Sequence, residues 1–460
     1  MRPSSSESNE SRRFTTISLF SGGMGLDVGL AKIEGFRLLA CVEKITGFCE
    51  TIRLNKEKGR LPSDLIIREE DIKSVDAAKL RKQLGLQKGE LDLLVGGPPC
   101  QSFSTAGKRA SVQDVRGTLL WDYLRFVEEF QPKFFLMENV RGLLSAALKH
   151  RPIKERPTKA RPKGEDVALE AEEEAGSVVR LFCQDLEKIR GGYHMDCYEV
   201  NSVNYGAPQI RERALFIGNR LGVELDFPSP THGVEDEKGE KDLFSASQQQ
   251  LLPWKTLRDV IGDLNETNPE LMDFSPRKKS FLSLVPEGGN WRSLPEKLQM
   301  ESMGGAFFAK GGRSGWWRRL TYDLPSPTLV TMPNHASTSL CHPVETRALT
   351  VREYARVQGF PDEWEFAGKI TEKYAQIGNA VPVRLAEIAG GMIFDALASS
   401  YDGTLKKSYK PASSGFRKIY IQSHIRTRSW FKNGKAMVWN VDETPSYGAP
   451  KTKTRSSNLR

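Results

Sequence analysis

The stretch SLFSGGMGLDVGL, residues 18–30, decides the fold class. An apolar run ends at three closely spaced glycines, Gly22, Gly23 and Gly25, and a helical spacing of apolar residues follows to Lys32. This reads as a strand, a tight turn and a helix. Glycines in such a turn let the backbone approach a ligand closely. A second apolar run, FRLLACV at 36–42, ends at Glu43, 21 residues beyond Gly22. A carboxylate at that place can accept hydrogen bonds from ribose hydroxyls. NAD is the default ligand of such a unit, but G-x-G-x-x-G is not matched. The motif alone therefore specifies only a nucleoside-containing cofactor, or a plain glycine turn beside a surface Glu.

Working outward, strands are expected at Thr16–Phe20, Phe36–Val42, Leu91–Val95, Lys133–Met137, Asp196–Val200 and Ala214–Ile217, with a helix from Thr46 to Leu54 among those between them. Such alternation implies an α/β fold with a Rossmann-like, mostly parallel sheet, whose ligands bind outside the carboxyl ends of the strands. This first domain is expected over 14–218. A charged insertion interrupts it at 149–174, where RPIKERPTKARPK is basic and GEDVALEAEEE acidic. From 219 to 345 the alternation is lost and only Thr256–Leu264 reads as helix, which implies a second, smaller and irregular domain. Helical patterns return over 346–400, in TVREYARVQ and RLAEIAGGMIFDAL, and complete the first domain.

A chain of 460 residues exceeds one hydrophobic core, so two or three domains are expected. No apolar run reaches the ~18 residues of a membrane-spanning helix. Residues 1–13 lack the apolar centre of a secretory signal and read as a disordered tail. The six cysteines form no C-x-x-C pair, which argues against a structural metal site and fits the reducing cytoplasm. The chain carries a net charge of +9, distributed unevenly. Residues 401–460 hold eight lysines and five arginines against Asp402, Asp442 and Glu443, with Phe416, Tyr420, Trp430, Phe431 and Trp439 interleaved. A basic, aromatic extension suits a polyanion such as nucleic acid; the plainer reading is a solvated appendage.

In LDLLVGGPPCQSFS, residues 91–104, a buried strand stops at two glycines and two prolines, and a single thiol follows. Pro98 and Pro99 restrict the backbone, so Cys100 is held stiffly at the edge where Phe20 and Glu43 end. A thiolate is a strong nucleophile. Alone, a Cys after a strand is more often inert packing, and its company changes that reading. Glu138 ends the strand FFLMENV, where burial would favour its proton-donating form. In APQIRER, Arg211 and Arg213 point the same way in an extended chain and suit an anionic or carbonyl-bearing substrate.

In order, SLFSGGMGLD, Glu43, EDI (70–72), GGPPCQSFS, RGTLL (116–120), MENV, QIRER, RALTVREYARVQGFPD (347–362) and QIGNAVPV (376–383) resemble the cytosine-C5 DNA methyltransferases of restriction–modification systems. The resemblance covers residues 16–400. It implies S-adenosyl-L-methionine as cofactor and no metal. Phe20, Ser21, Gly22, Gly23, Gly25 and Leu26 would cradle the cofactor, with Glu43 on its ribose and Asp71 and Ile72 at its adenine. Pro99 and Leu119 would border the same pocket, and Asn379 and Val381 would close the methionine side. Cys100 would attack C6 of cytosine, Glu138 would hold and protonate N3, and Arg213, with Arg211 nearby, would hold O2. Thiol addition loads electron density onto C5, which then accepts the methyl group. The base must leave the duplex for this, and residues 101–117 would close over it, with Gln101, Ser104 and Lys108 near the DNA. Met24 stands where the family commonly has glycine.

Target readout is expected within 219–345, from Arg313, Arg318 and Arg319 beside paired tryptophans, since Arg suits guanine; the same arginines could instead hold phosphate or ion-pair in a loop. The implied partners are double-stranded DNA and, functionally, a restriction endonuclease; the chain is expected to be a cytoplasmic monomer. A tRNA cytosine methyltransferase and a non-catalytic DNA-binding relative are the alternatives. The long recognition region speaks against the first and an intact Cys100, Glu138 and Arg213 against the second.

Overall fold

Phe14, Ile17 and Leu19 put apolar side chains into the interior from β1 (Phe14–Leu19), an interior strand of the sheet. The computed structural model describes residues 13–99, 118–149, 169–233, 251–309, 313, 315–408, 416–420 and 456–457. Around β1 the chain lays down α1 (Gly25–Ala31), β2 (Phe36–Glu43), α2 (Thr46–Glu57), β3 (Ile66–Glu69), α3 (Ala77–Gln83) and β4 (Leu93–Gly96). Then follow α4 (Leu119–Phe130), β5 (Phe134–Val140), α5 (Ser177–Glu187), β6 (His194–Asn201) and β7 (Glu212–Asn219). Their order across the sheet is β3-β2-β1-β4-β5-β7-β6. All neighbours among the first five are parallel, and β7 runs antiparallel to both β5 and β6. The sheet is thus mostly parallel, as expected. The exception arises because only ten residues join β6 to β7, too few for a crossover to a parallel strand.

Both faces are covered. Leu94, Phe135 and Met137 pack with α3, α4 and α5 on one side; Leu93, Val95, Phe134 and Leu136 pack with α1 and the last helix on the other. This is why β4 and β5 read as unbroken apolar runs. β3 escaped the sequence reading because it has four half-buried residues at the sheet's edge.

The chain reverses its sense of winding between β1 and β4, so their carboxyl ends open the crevice where an α/β sheet binds ligands. Beyond β7 come α6 (Arg258–Ile261), α7 (Pro276–Leu282) and α8 (Glu296–Met303). Leu257, Ile261, Leu320 and Leu329 share a core with Met24, Val28 and Cys41, so these parts belong to the sheet domain's packing. A separate core is built on Phe274, Phe281, Trp291, Met303, Trp317 and Cys341.

The returning segment forms α9 (Val351–Gln358), α10 (Ile370–Asn379) and α11 (Val383–Tyr401). Thr350 and Glu353 make a reciprocal capping box that starts α9. α11 lies along α1, with Leu385, Ala389 and Ile393 in one core with Leu26 and Leu30. Phe416–Tyr420 extends the sheet parallel to β6, and Ser456–Ser457 pairs with it. The expected N-terminal tail (apart from Arg13), most of the 149–174 insertion and most of the 401–460 extension lie outside the described residues. Among the described residues no helix is long and apolar enough to cross a membrane.

Candidate active site

At the carboxyl end of β1 the backbone turns through two unusual residues. Phe20 and Met24 both take positive φ, 54° and 68°, with Gly22 between them at 54°. A non-glycine residue there costs ~1–2 kcal/mol, a strain that clusters at functional sites. Met24 offsets it by burying its whole side chain in the core, worth ~1.5–3 kcal/mol. This accounts for the departure from glycine at that position. Ser21 anchors the turn through its hydroxyl on the carbonyl and hydroxyl of Ser18, at 3.2 and 3.1 Å. Gly23 and Gly25 are small because the returning segment crosses them: a Cβ on Gly25 would lie 2.3 Å from the Val381 carbonyl, and one on Gly23 2.9 Å from that of Gln376.

Glu43 reaches across from the tip of β2. Gly22 N–H donates to its Oε2 at 2.9 Å, and Lys44 and Ile45 N–H donate to Oε1 at 2.8 and 2.9 Å. Asp71 is half exposed beside it, with Lys44 Nζ 3.7 Å from Oδ2. Ile72 and Leu26 are buried, while Phe20 and Leu119 pack on the same core at the pocket's side. Asn379 is exposed at the end of α10, and Val381 is buried against Gly25. Pro99 is exposed on the loop after β4.

Glu138 lies at the end of β5, with Gly97 beside it. A Cβ on Gly97 would stand 3.4 Å from Glu138 Oε2. Arg213, opposite Val140 on β7, brings Nε within 2.6 Å of Glu138 Oε1, both side chains almost sealed. The pair is held by charge; Oε1 has no in-line donor. Burial pulls the Arg213 guanidinium down, and the Glu138 carboxylate pulls it back up. Asn139 was not singled out from sequence, although it sits inside MENV. Its Nδ2 donates to the Pro98 carbonyl at 3.0 Å, tying β5 to the loop that leads to Cys100. Cys100, Gln101, Ser104 and Lys108 lie outside the described residues.

Arg211 differs from the expectation. Its guanidinium is fully buried and donates to the carbonyls of Leu329, Gly378 and Ala380 at 3.1, 2.8 and 3.0 Å. It stitches the returning segment to the sheet domain. Gln209 and Gln358 extend the same seam, bonded to each other at 2.7 Å.

Arg213 opens onto a cleft of about 620 Å³ between the two regions, lined also by Arg141, Glu212, Thr328, Val330 and Arg318. Arg141 bridges Glu199 and Glu212 at 2.8 and 2.9 Å. Arg318 is nine-tenths buried in the cleft wall, where burial brings its guanidinium down to about 10. Arg319 is buried and donates to the carbonyls of Leu282, Val285, His342, Val344 and Glu345, so it ties these loops together. Arg313 donates to the Phe307 carbonyl and lies over Trp291.

The C-5 cytosine-specific DNA methylase family matches residues 14–155 and 167–395, most of the chain. This chain belongs to that family. The family is that of the DNA (cytosine-5-)-methyltransferases, and its membership implies S-adenosylmethionine as methyl donor. The sheet edge fits such a group: the Gly22 turn faces open space apart from the Phe20 carbonyl at 3.8 Å, with carboxylates Glu43 and Asp71 at its rim. The chain is 38% identical over 392 residues to the type II methyltransferase M.PspPI of a Psychrobacter species, covering 84% of this chain and 80% of that one. It is 34% identical over 394 residues to M.Eco47II of Escherichia coli, covering 84% and 79%, and 34% identical over 381 residues to M.Sau96I of Staphylococcus aureus, covering 83% and 76%. The methylase fold is also that of a prophage-encoded DNA modification methyltransferase from E. coli, at a TM-score of 0.52 and 23% identity, over 84% of this chain and 99% of that one.

Proposed function

We propose that this methyltransferase modifies C5 of a flipped-out cytosine in a short double-stranded DNA sequence, with Cys100 as nucleophile, as the protective half of a restriction–modification pair in a bacterial cytoplasm. The observation that carries the chemical part is the Glu138–Arg213 pair packed on Gly97, three residues before Cys100, with Asn139 fastening the Pro98 carbonyl between them. The type II relatives support the restriction–modification context.

Cytosine C5 is too weak a nucleophile to take a methyl group unaided. The Cys100 thiolate adds to C6 and pushes electrons toward C5 and N3. Glu138 meets N3 through its free oxygen, and Arg213 holds Glu138 in place from the other side. The cofactor supplies an electrophilic sulfonium methyl, held by the Phe20–Gly25 turn and Glu43. Loss of the C5 proton then releases the thiol and restores the ring. Positioning matters because ~1 Å of misplacement can cost ~100-fold in rate. Arg318 on the cleft wall brings positive charge to the DNA.

The test is methyl transfer to plasmid DNA by wild type and by Cys100→Ser. The variant is expected to bind S-adenosylmethionine normally and to transfer nothing; transfer at the wild-type rate rejects the assignment. Bisulfite sequencing of plasmid from expressing cells gives the target site in the same experiment.

A further inference from the structure

Among the described residues the most exposed large apolar side chain is Phe308, at 72%. It is not a stray. Its ring meets Phe307 edge-on at 5.3 Å, and Phe307 meets Trp291 edge-on at 5.8 Å. Trp291 is buried in the recognition core, so the three rings form a ladder from the core to the surface. Two guanidiniums share the base of that ladder: Arg292 stands 4.6 Å and Arg313 5.3 Å from the Trp291 ring centre. Burial and the neighbouring Arg313 charge both disfavour the Arg292 cation. Among the described residues no carboxylate forms an ion pair with either one. Stacking on indole fixes the direction of a guanidinium without neutralising it. A water-exposed phenyl at the outer end of a ladder whose base carries two pre-aimed, mutually repelling cations is poorly suited to solvent and well suited to a polyanion that also offers apolar faces.

We propose that Phe308, Arg292 and Arg313 form the surface by which the recognition region grips duplex DNA, Phe308 in apolar contact with a base and the two guanidiniums on flanking phosphates. This rests on the DNA methyltransferase reading and gives it a specificity-bearing residue outside the catalytic cleft. Phosphate contacts set affinity and its salt dependence, whereas base contacts set discrimination, so the two roles separate experimentally.

The probe is a short labelled duplex carrying the site found by bisulfite sequencing, titrated with the full chain over a range of salt. Phe308→Ala is expected to weaken binding about 5- to 150-fold with an unchanged salt slope, the range for loss of one base contact. Arg292→Gln and Arg313→Gln are expected to lower the slope by about 0.9 each, and Arg292→Lys to keep it. If wild type methylates the duplex while Phe308→Ala binds it as tightly and the double Gln variant keeps the full slope, the surface assignment is overturned and the enzymatic reading stands. A wild type that neither binds nor methylates the duplex overturns both.

Discussion

Arg211 and Arg213 are the same residue type, two apart, leaving the strand on the same side. Nothing local distinguishes them. The difference is made by carbonyls 118, 167 and 169 positions further along the chain, which satisfy Arg211 and leave Arg213 to Glu138. Arg211→Met should therefore lower unfolding free energy by about 3 kcal/mol, because several buried carbonyls lose their donor. Arg213→Ala should mainly lower kcat. Denaturant titration beside steady-state kinetics separates the two. Asp27 supplies a pH prediction. Sealed beneath the glycine turn, its carboxyl is pushed up to about 7 by burial, with the Ser18 hydroxyl pulling the other way. The folded chain keeps this proton up to about 7, while the unfolded chain releases it near the ordinary carboxylate range of about 4. The contribution to stability is full below that range and is lost as pH rises to about 7. Asp27→Asn should remove about 3 kcal/mol of the decline in unfolding free energy between about pH 5 and pH 8. The glycine turn after β1 and the places of Glu43 and Glu138 towards strand ends were legible, because strand ends follow from the apolar runs. The burial of Arg319 was not, since exposed and buried arginines are written alike in a loop-rich sequence.

At the scale of elements, the strands buried on both faces could be read from their apolar runs, and β3 and the direction of β7 could not. Periodicity reports burial, while direction depends on the length of the connection. The returning segment matters most for the site. Its Gln376 and Val381 carbonyls press against Gly23 and Gly25, so the cofactor turn and the α10–α11 junction are one packing unit. Gly25→Ala puts a methyl group into backbone at 2.3 Å, which no rotamer change can relieve. It should lower thermal stability and weaken S-adenosylmethionine binding together, as read by calorimetry. Retained affinity in a folded Gly25→Ala protein would show that the junction and the turn act independently.

For the whole molecule, the loss of α/β alternation after β7 was readable, whereas the packing of later segments onto the sheet was not. Residues 320–329 look irregular in sequence, and the helix read at Thr256–Leu264 gives no sign of its partners, because Leu257, Ile261, Leu320 and Leu329 pack with α1, β2 and α9 rather than with their own neighbours. The basic extension acts at this scale too. Removing residues 409–460 takes away six lysines and five arginines and exposes the β6 edge, while sparing Tyr401, which hydrogen-bonds Asp92 at 2.7 Å. The truncated chain should bind non-specific duplex more weakly and with a smaller salt slope than the full chain. The most direct test of the central claim uses a duplex whose target cytosine carries fluorine at C5, which cannot leave as a proton does. With S-adenosylmethionine present, the full chain should become covalently fixed to this DNA, and mass spectrometry should find the link on Cys100. A link on another residue, or an undiminished adduct with Cys100→Ser, would contradict the account.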